Sequence, residues 1–200
     1  MATVVPPPTV TRMTDQEFLD LAPDDRKAEL IDGEMIMASP ASTLHEELFA
    51  FLFEMLRIYV REKDLGRLLG SRTPMRLSET EVYEPDIVFV SKERESIVKR
   101  TYIDGPADLV IEILSRSTAY VDRGRKLIEC ALAGVREYWL FDPDQHIAEF
   151  YRLRDSRYER VPADEDGVYR SEVVPGFWLR LEWLWTQPKP LAVAHELGLI

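Results

Sequence analysis

Glu112 stands in the middle of Leu109-Val110-Ile111-Glu112-Ile113-Leu114, a run otherwise suited to a strand shielded from water. Taking an ionised carboxylate out of water is costly unless a partner compensates. A glutamate here therefore calls for a neighbouring cation, a metal or a raised pKa. Pairing with an arginine, or an edge strand that faces water, are the structural readings of the same residue. Asp86 is the second such acid: it follows Pro85 and opens the apolar run Ile87-Val88-Phe89-Val90. A carboxylate at a strand mouth can serve a site, or can start the strand by accepting from backbone N–H groups. Two carboxylates entering adjacent buried strands can share a hard divalent cation, Mg²⁺ or Mn²⁺. Mg²⁺ takes one or two carboxylates, keeps several waters and leaves positions for phosphate oxygens. Such an ion offsets charge at a phosphodiester and acidifies a bound water, while a nearby ammonium steadies the developing charge.

The elements that must position these acids can be read from capping and periodicity. Thr14 and Glu17 form a capping-box pattern that opens a short helix ending near Ala22. Residues 28–31 and 35–38 flank Asp32-Gly33, a turn pair that favours a hairpin. Leu44, Leu48, Phe51, Leu52, Met55 and Tyr59 recur at helical spacing, predicting a helix over roughly residues 43–62 capped by Ser42 or Thr43. One strand is expected over residues 67–77. The two apolar runs, 87–90 and 109–114, have apolar side chains on both faces and belong at the centre of a sheet. Residues 119–134 read as one helix ended by Gly134. On its wheel Lys126 lies near Asp122 and Glu129, opposite Leu127, Ile128, Ala131 and Leu132, which reads as an exposed lysine paired with Asp122. Residues 137–141, 147–153 and 158–161 form an antiparallel meander with a turn at Asp142-Pro143, and a later turn falls at Asp166-Gly167. The segment with Trp178, Trp183 and Trp185 closes the core.

The expected organisation is a Pro-rich arm over residues 1–12, one α/β domain over 13–186 with a mixed sheet, and a tail over 187–200. At 200 residues, 46 % hydrophobic and 30 % charged, the chain is too apolar to be disordered. The single cysteine, Cys130, argues against a disulfide-held secreted scaffold. Neither a signal-peptide pattern nor an apolar run of membrane-spanning length is seen, so a cytoplasmic protein with no membrane partner is expected. The net charge of −11 counts against a generic nucleic-acid binder, although residues 57–76 carry six basic side chains against two acidic ones.

The segments EPDIVFV, GPADLVIEILSRST and DRGRKLIECALAGVREYWLFDP, in that order, resemble the Uma-two family of restriction-endonuclease-like proteins, within the PD-(D/E)XK nuclease superfamily. ELIDGEMIMASP, with His45 downstream, extends the resemblance over roughly residues 15–185. It implies a bacterial, cytoplasmic protein with a restriction-endonuclease-like core and metal-dependent cleavage of nucleic acid. By position, Asp86 matches the aspartate of the PD pair and Glu112 the second acidic ligand. The plain motif has lysine two residues after Glu112, where this chain has Leu114; the family resembled carries its lysine on the following helix, and Lys126 matches it. Glu29 matches an acidic residue near the active centre, Asp122 is the aspartate spaced before the lysine, and His45 is a candidate substrate contact. Two departures stand out. Cys130 lies where an aromatic residue is usual one turn after the lysine, and Arg116 replaces a proline and is a candidate phosphate contact.

Three readings follow. The first is a Mg²⁺- or Mn²⁺-dependent endonuclease acting on nucleic acid, DNA foremost, with Asp86, Glu112 and Lys126 in the centre. The second is a non-catalytic module that binds nucleic acid or protein and retains the fold. The third is a metal-dependent phosphodiesterase for small nucleotides. Nucleases that cut both strands commonly pair up, so a homodimer is expected, with residues 191–200 offering a contact. A phosphate-binding glycine loop with lysine, a Gly-x-Ser-x-Gly elbow and zinc-spaced Cys/His clusters are not found.

Overall fold

In the computed structural model, which describes residues 12–23, 25–115 and 118–200, the two apolar runs lie side by side at the centre of a mixed sheet. The chain begins with α1 (Asp15–Leu21), capped by Thr14 and Glu17, and the hairpin β1 (Ala28–Ile31) and β2 (Glu34–Met37). Asp32 and Gly33 both take positive φ, 53° and 74°, as a tight hairpin turn requires. Then come α2 (Thr43–Glu62), β3 (Gly66–Gly70), β4 (Met75–Ser78), β5 (Glu81–Tyr83) and β6 (Ile87–Ser91). A 3₁₀ turn leads to β7 (Ile103–Asp104) and β8 (Leu109–Ile113). Helices α3 (Ala119–Arg123) and α4 (Arg125–Ala133) precede β9 (Glu137–Asp142), β10 (Ile147–Arg154) and β11 (Arg157–Arg160). The chain closes with β12 (Val168–Arg170), β13 (Trp178–Arg180), α5 (Leu181–Thr186) and α6 (Pro190–Glu196).

The main sheet has the order β11-β10-β9-β8-β6-β3, antiparallel except for the parallel pair β8–β9. A second sheet, β2-β1-β5-β4-β7, joins it through the short link from β5 to β6 that contains Asp86. Strand alternation divides the core in two. Ile87, Phe89, Leu109, Ile111, Trp139 and Phe141 cluster with α2 and α5 on one face. Val88, Val90, Val110, Tyr138 and Leu140 cluster with Cys130 of α4 on the other. The central strands are thus covered on both sides, as apolar side chains on both of their faces predict. The meander β9–β10–β11 is antiparallel throughout, also as expected.

Three expectations need correction. The single strand over residues 67–77 is two strands in different sheets, because Arg72 adopts φ 72° and Pro74 lacks an N–H for the ladder. The helix over 119–134 is broken at Gly124 (φ −108°, ψ −103°), where a Cβ would sit 2.7 Å from the Tyr120 carbonyl oxygen. Residues 187–200, read as a tail, contain α6, which packs on α2 and buries Val193 and Ala194. Of the expected arm, only Arg12 lies among the described residues, and its guanidinium pairs with Asp32. Among the described residues no helix is long and apolar enough to cross a membrane.

Glu137, at the start of β9, is fully buried and ties the sheet to the segment before β13. Its Oε1 accepts the Glu172 N–H at 2.6 Å, and its Oε2 accepts Ser171 Oγ–H at 2.9 Å and the Trp139 indole N–H at 3.0 Å. Glu137→Ala, which strips these donors of their acceptor, is expected to lower stability by about 3 kcal/mol or more in thermal or urea unfolding. Burial raises the Glu137 pKa above 4.5 despite those donors and Arg152. The native state therefore binds more protons than the unfolded chain above pH 4.5, and this group's stabilising contribution is lost as pH rises through the raised pKa. The Tm of wild type relative to Glu137→Gln is accordingly expected to fall as pH is raised from 4.5 toward neutrality.

Cys130 is fully buried in the α4-facing cluster, and burial pushes its thiol pKa up. It is expected to resist alkylation in the native protein at pH 8 and to label at once in denaturant, as mass spectrometry will read directly.

Candidate active site

Register decides which way the two acids point. Val88 faces Val110 and Ile87 faces Ile111 across the antiparallel pair β6–β8. Extending that pairing by one residue sets Asp86 opposite Glu112, on the face shared by Val88 and Val110. Neither acid lies on an edge strand, and among the described residues neither is held by a guanidinium. Both are almost wholly buried, yet both line one cavity of about 570 Å³ bounded by the β1 end, the N-terminus of α2, the end of β8 and the α3–α4 region.

Asp86 meets three donors among the described residues. Its Oδ1 lies 2.9 Å from Lys27 Nζ, and its Oδ2 accepts the Ile113 N–H at 2.8 Å and lies 3.2 Å from His45 Nε2. Burial pushes the Asp86 pKa upward, but Lys27, His45 and the Ile113 amide outweigh it and hold the carboxylate well below its usual range. The bond to Ile113 also joins the mouth of β6 to the end of β8, so the strand-starting role and the site role fall on the same residue. Glu112 differs. Lys126 Nζ approaches its Oε1 to 2.5 Å, but outside hydrogen-bond geometry, so that buried oxygen has no directed donor. Burial pushes the Glu112 pKa well up; Lys126 opposes this, and Asp122 reinforces it.

Lys126 is buried, not exposed as the helical wheel suggests, with about 1 % of its side chain accessible. The break at Gly124 turns α4 so that Lys126 and Cys130 face the sheet, while Ile128 and Leu132 are left on the surface. Its ammonium donates to Glu29 Oε1 at 2.5 Å and lies 3.8 Å from Asp122 Oδ1. Burial favours the neutral amine, but Glu112, Glu29 and Asp122 outweigh it and keep the ammonium charged. Glu29 comes from β1, where its Oε1 also accepts the Glu84 N–H at 3.0 Å. Asp122, from α3, is buried at the same cavity, and burial raises its pKa.

His45 sits in the first turn of α2, where its own N–H donates to Ser42 Oγ, and its imidazole reaches Asp86 directly. Arg116, the candidate phosphate contact, lies outside the described residues. Leu114, where the plain motif carries lysine, is buried in the α4-facing cluster. Lys27 is the residue that sequence reasoning missed. Its signal is there in the alternation: one position before β1 and two before Glu29, it lies on the same face as that acid.

The donor chemistry suits a hard divalent cation. Four carboxyl groups (Glu29, Asp86, Glu112 and Asp122) lie around two ammonium groups, a set of hard oxygen donors of the kind Mg²⁺ and Mn²⁺ take. Among the described residues no three His, Cys, Asp or Glu side chains are gathered into a metal-binding group; the two central acids are each met by a lysine instead.

Comparison with solved structures finds the same fold in "a putative nuclease belonging to DUF820" from Anabaena variabilis ATCC 29413, known from a crystal structure. The match has a TM-score of 0.72 at 21 % identity and covers 87 % of this chain and 98 % of that one. No curated protein matches. The Uma2 family, described as "Putative restriction endonuclease", matches residues 15–182, a span that takes in the cavity with Glu29, Asp86, Glu112 and Asp122. The chain belongs to the Uma2 family of restriction-endonuclease-type proteins.

Proposed function

We propose that the protein is a divalent-metal-dependent endonuclease that hydrolyses phosphodiester bonds in nucleic acid, DNA foremost. The observation that supports this reading is the convergence of two buried carboxylates from adjacent strands, Asp86 and Glu112, on one cavity beside the ammonium of Lys126. Asp86 and Glu112 are the residues that would hold Mg²⁺ or Mn²⁺. Such an ion, when bound, offsets phosphate charge and acidifies a coordinated water. The chain's own groups do the positioning. His45 and the Ile113 N–H fix the Asp86 carboxylate from one side, leaving its Oδ1 toward Lys27. Lys126 holds Glu112 and Glu29 together and sets a positive charge at the cavity wall, where charge develops on an attacked phosphate. Cutting both strands of a duplex takes two such centres, and the exposed apolar residues Leu191 and Ile200 support pairing into a homodimer.

One observation favours a second reading, a non-catalytic nucleic-acid- or protein-binding module: each central acid is already countered by a lysine, in a chain of net charge −11. Cleavage assays on plasmid DNA and RNA with Mg²⁺ or Mn²⁺ separate the two. Asp86→Ala, Glu112→Ala and Lys126→Ala are each expected to slow cleavage by about 10²-fold or more relative to wild type. Equal residual cutting in all four proteins overturns the nuclease reading. Binding of nucleic acid that persists without cleavage in the wild type supports the binding module.

A further inference from the structure

The two lysines of the cavity are held very differently. Lys126 is locked, with about 1 % of its side chain exposed and ammonium contacts at 2.5, 2.5 and 3.8 Å to three acids on three separate elements. Lys27 keeps 22 % of its side chain exposed and, among the described residues, makes one ion pair, to Asp86 Oδ1 at 2.9 Å. It enters from the segment just before β1, flanked by Asp25 and Arg26 at the cavity mouth. The remaining Asp86 oxygen accepts a backbone N–H of β8 and lies against the His45 imidazole of α2. Of the two side chains that meet Asp86 among the described residues, Lys27 is the more exposed, 22 % against 11 % for His45, and its contact opens without disturbing a strand.

We propose that Lys27 is an exchangeable counter-cation: it balances Asp86 while no divalent ion is bound, gives up Oδ1 when one arrives, and carries its ammonium to a phosphate oxygen of the substrate. This rests on the nuclease reading above and adds to it a second, mobile ammonium. An ammonium and a divalent ion at the same oxygen repel each other, so Lys27 weakens metal binding in the free protein. A phosphate that accepts the displaced ammonium relieves that repulsion, and by linkage the metal and the phosphate-bearing strand then each tighten the other's binding. Lys126 cannot take this part, since leaving Glu112 and Glu29 would strand buried carboxylates.

The test is a Mn²⁺ titration of the full chain, with free Mn²⁺ read by electron paramagnetic resonance, with and without a cleavage-resistant phosphorothioate duplex. Wild type is expected to bind Mn²⁺ at a site that Asp86→Asn removes, and to bind it more tightly with the duplex present. Lys27→Met is expected to bind Mn²⁺ about fivefold tighter or more without the duplex and to lose the gain the duplex brings. Lys27→Gln repeats the experiment should circular dichroism show that Lys27→Met is unfolded, and Lys27→Arg, which keeps the charge, is expected not to tighten Mn²⁺ binding. Unchanged or weaker Mn²⁺ binding in the charge-removing variants, with the Asp86-dependent site intact, overturns the role of Lys27 and leaves the metal site standing. Wild type without any Asp86-dependent Mn²⁺ site overturns the nuclease reading, and this inference with it.

Discussion

Buried charge that does not cancel locally is the constraint around which this protein is built. Glu29, Asp86, Glu112 and Asp122 come from β1, the β5–β6 link, β8 and α3, and the ammonium groups of Lys27 and Lys126 lie among them. No single element could hold such a set, because each acid alone would take up a proton rather than remain ionised away from water. The elements must therefore arrive together. The extended β6–β8 register sets Asp86 opposite Glu112, the hairpin supplies Glu29 and Lys27, and the packing of α4 on the sheet supplies Lys126. The same assembly brings Glu112 Oε1 within 2.5 Å of the Lys126 ammonium, which ties β8 to α4.

Acids buried elsewhere in the chain show what a purely structural carboxylate looks like. Asp108 accepts the Ser91 N–H at 2.8 Å and is clamped by Arg94 and Arg136. Glu81 takes the Asp32 N–H, the Tyr83 hydroxyl and Arg125. Glu137 is saturated by a backbone N–H, a hydroxyl and an indole. Backbone donors and guanidinium forks fill lone pairs in fixed directions and leave no vacancy. The cavity acids are paired with lysine ammoniums, which act as compact point charges and can be exchanged for another cation. Asp86 and Glu29 combine a backbone N–H with an ammonium, whereas among the described residues Asp108, Glu81 and Glu137 have no ammonium partner.

That distinction also marks how much could be read from residues alone. The α2 helix, the first hairpin and the meander follow from periodicity and turn residues, and Asp86 and Glu112 stand out because acids interrupt or open apolar runs. Asp108 and Glu137 open apolar runs as Asp86 does, but an acid at a strand start passes equally well as surface, so their burial was not legible. Lys27 was hidden for a related reason, in a run of charged residues that reads as solvated. Lys126 was misdirected by its own helical wheel. The wheel assumes one uninterrupted helix that buries its most apolar stripe, whereas the break at Gly124 lets α4 bury Lys126 and Cys130 and expose Ile128 and Leu132. Local pattern yields to tertiary electrostatics wherever three acids wait for one cation.

The placement of that lysine on a helix has a physical consequence. A lysine two residues after Glu112 would share its strand face and reach the site by strand register alone. In this chain Leu114 fills that place with apolar contacts to the cluster beneath α4. The ammonium instead crosses from α4, so its position depends on how the helix seats against Val110, Tyr138 and Leu140. Cys130, one turn on, belongs to the same cluster, and its small side chain sits among the aromatic residues Tyr138 and Tyr158 contributed by the meander. Bulk that the helix lacks at this turn is thus supplied from the sheet. The seating of α4, and with it the reach of Lys126 to Glu112, is set jointly by β8 and the meander, which makes the geometry of the cavity a property of the packed core and not of one motif.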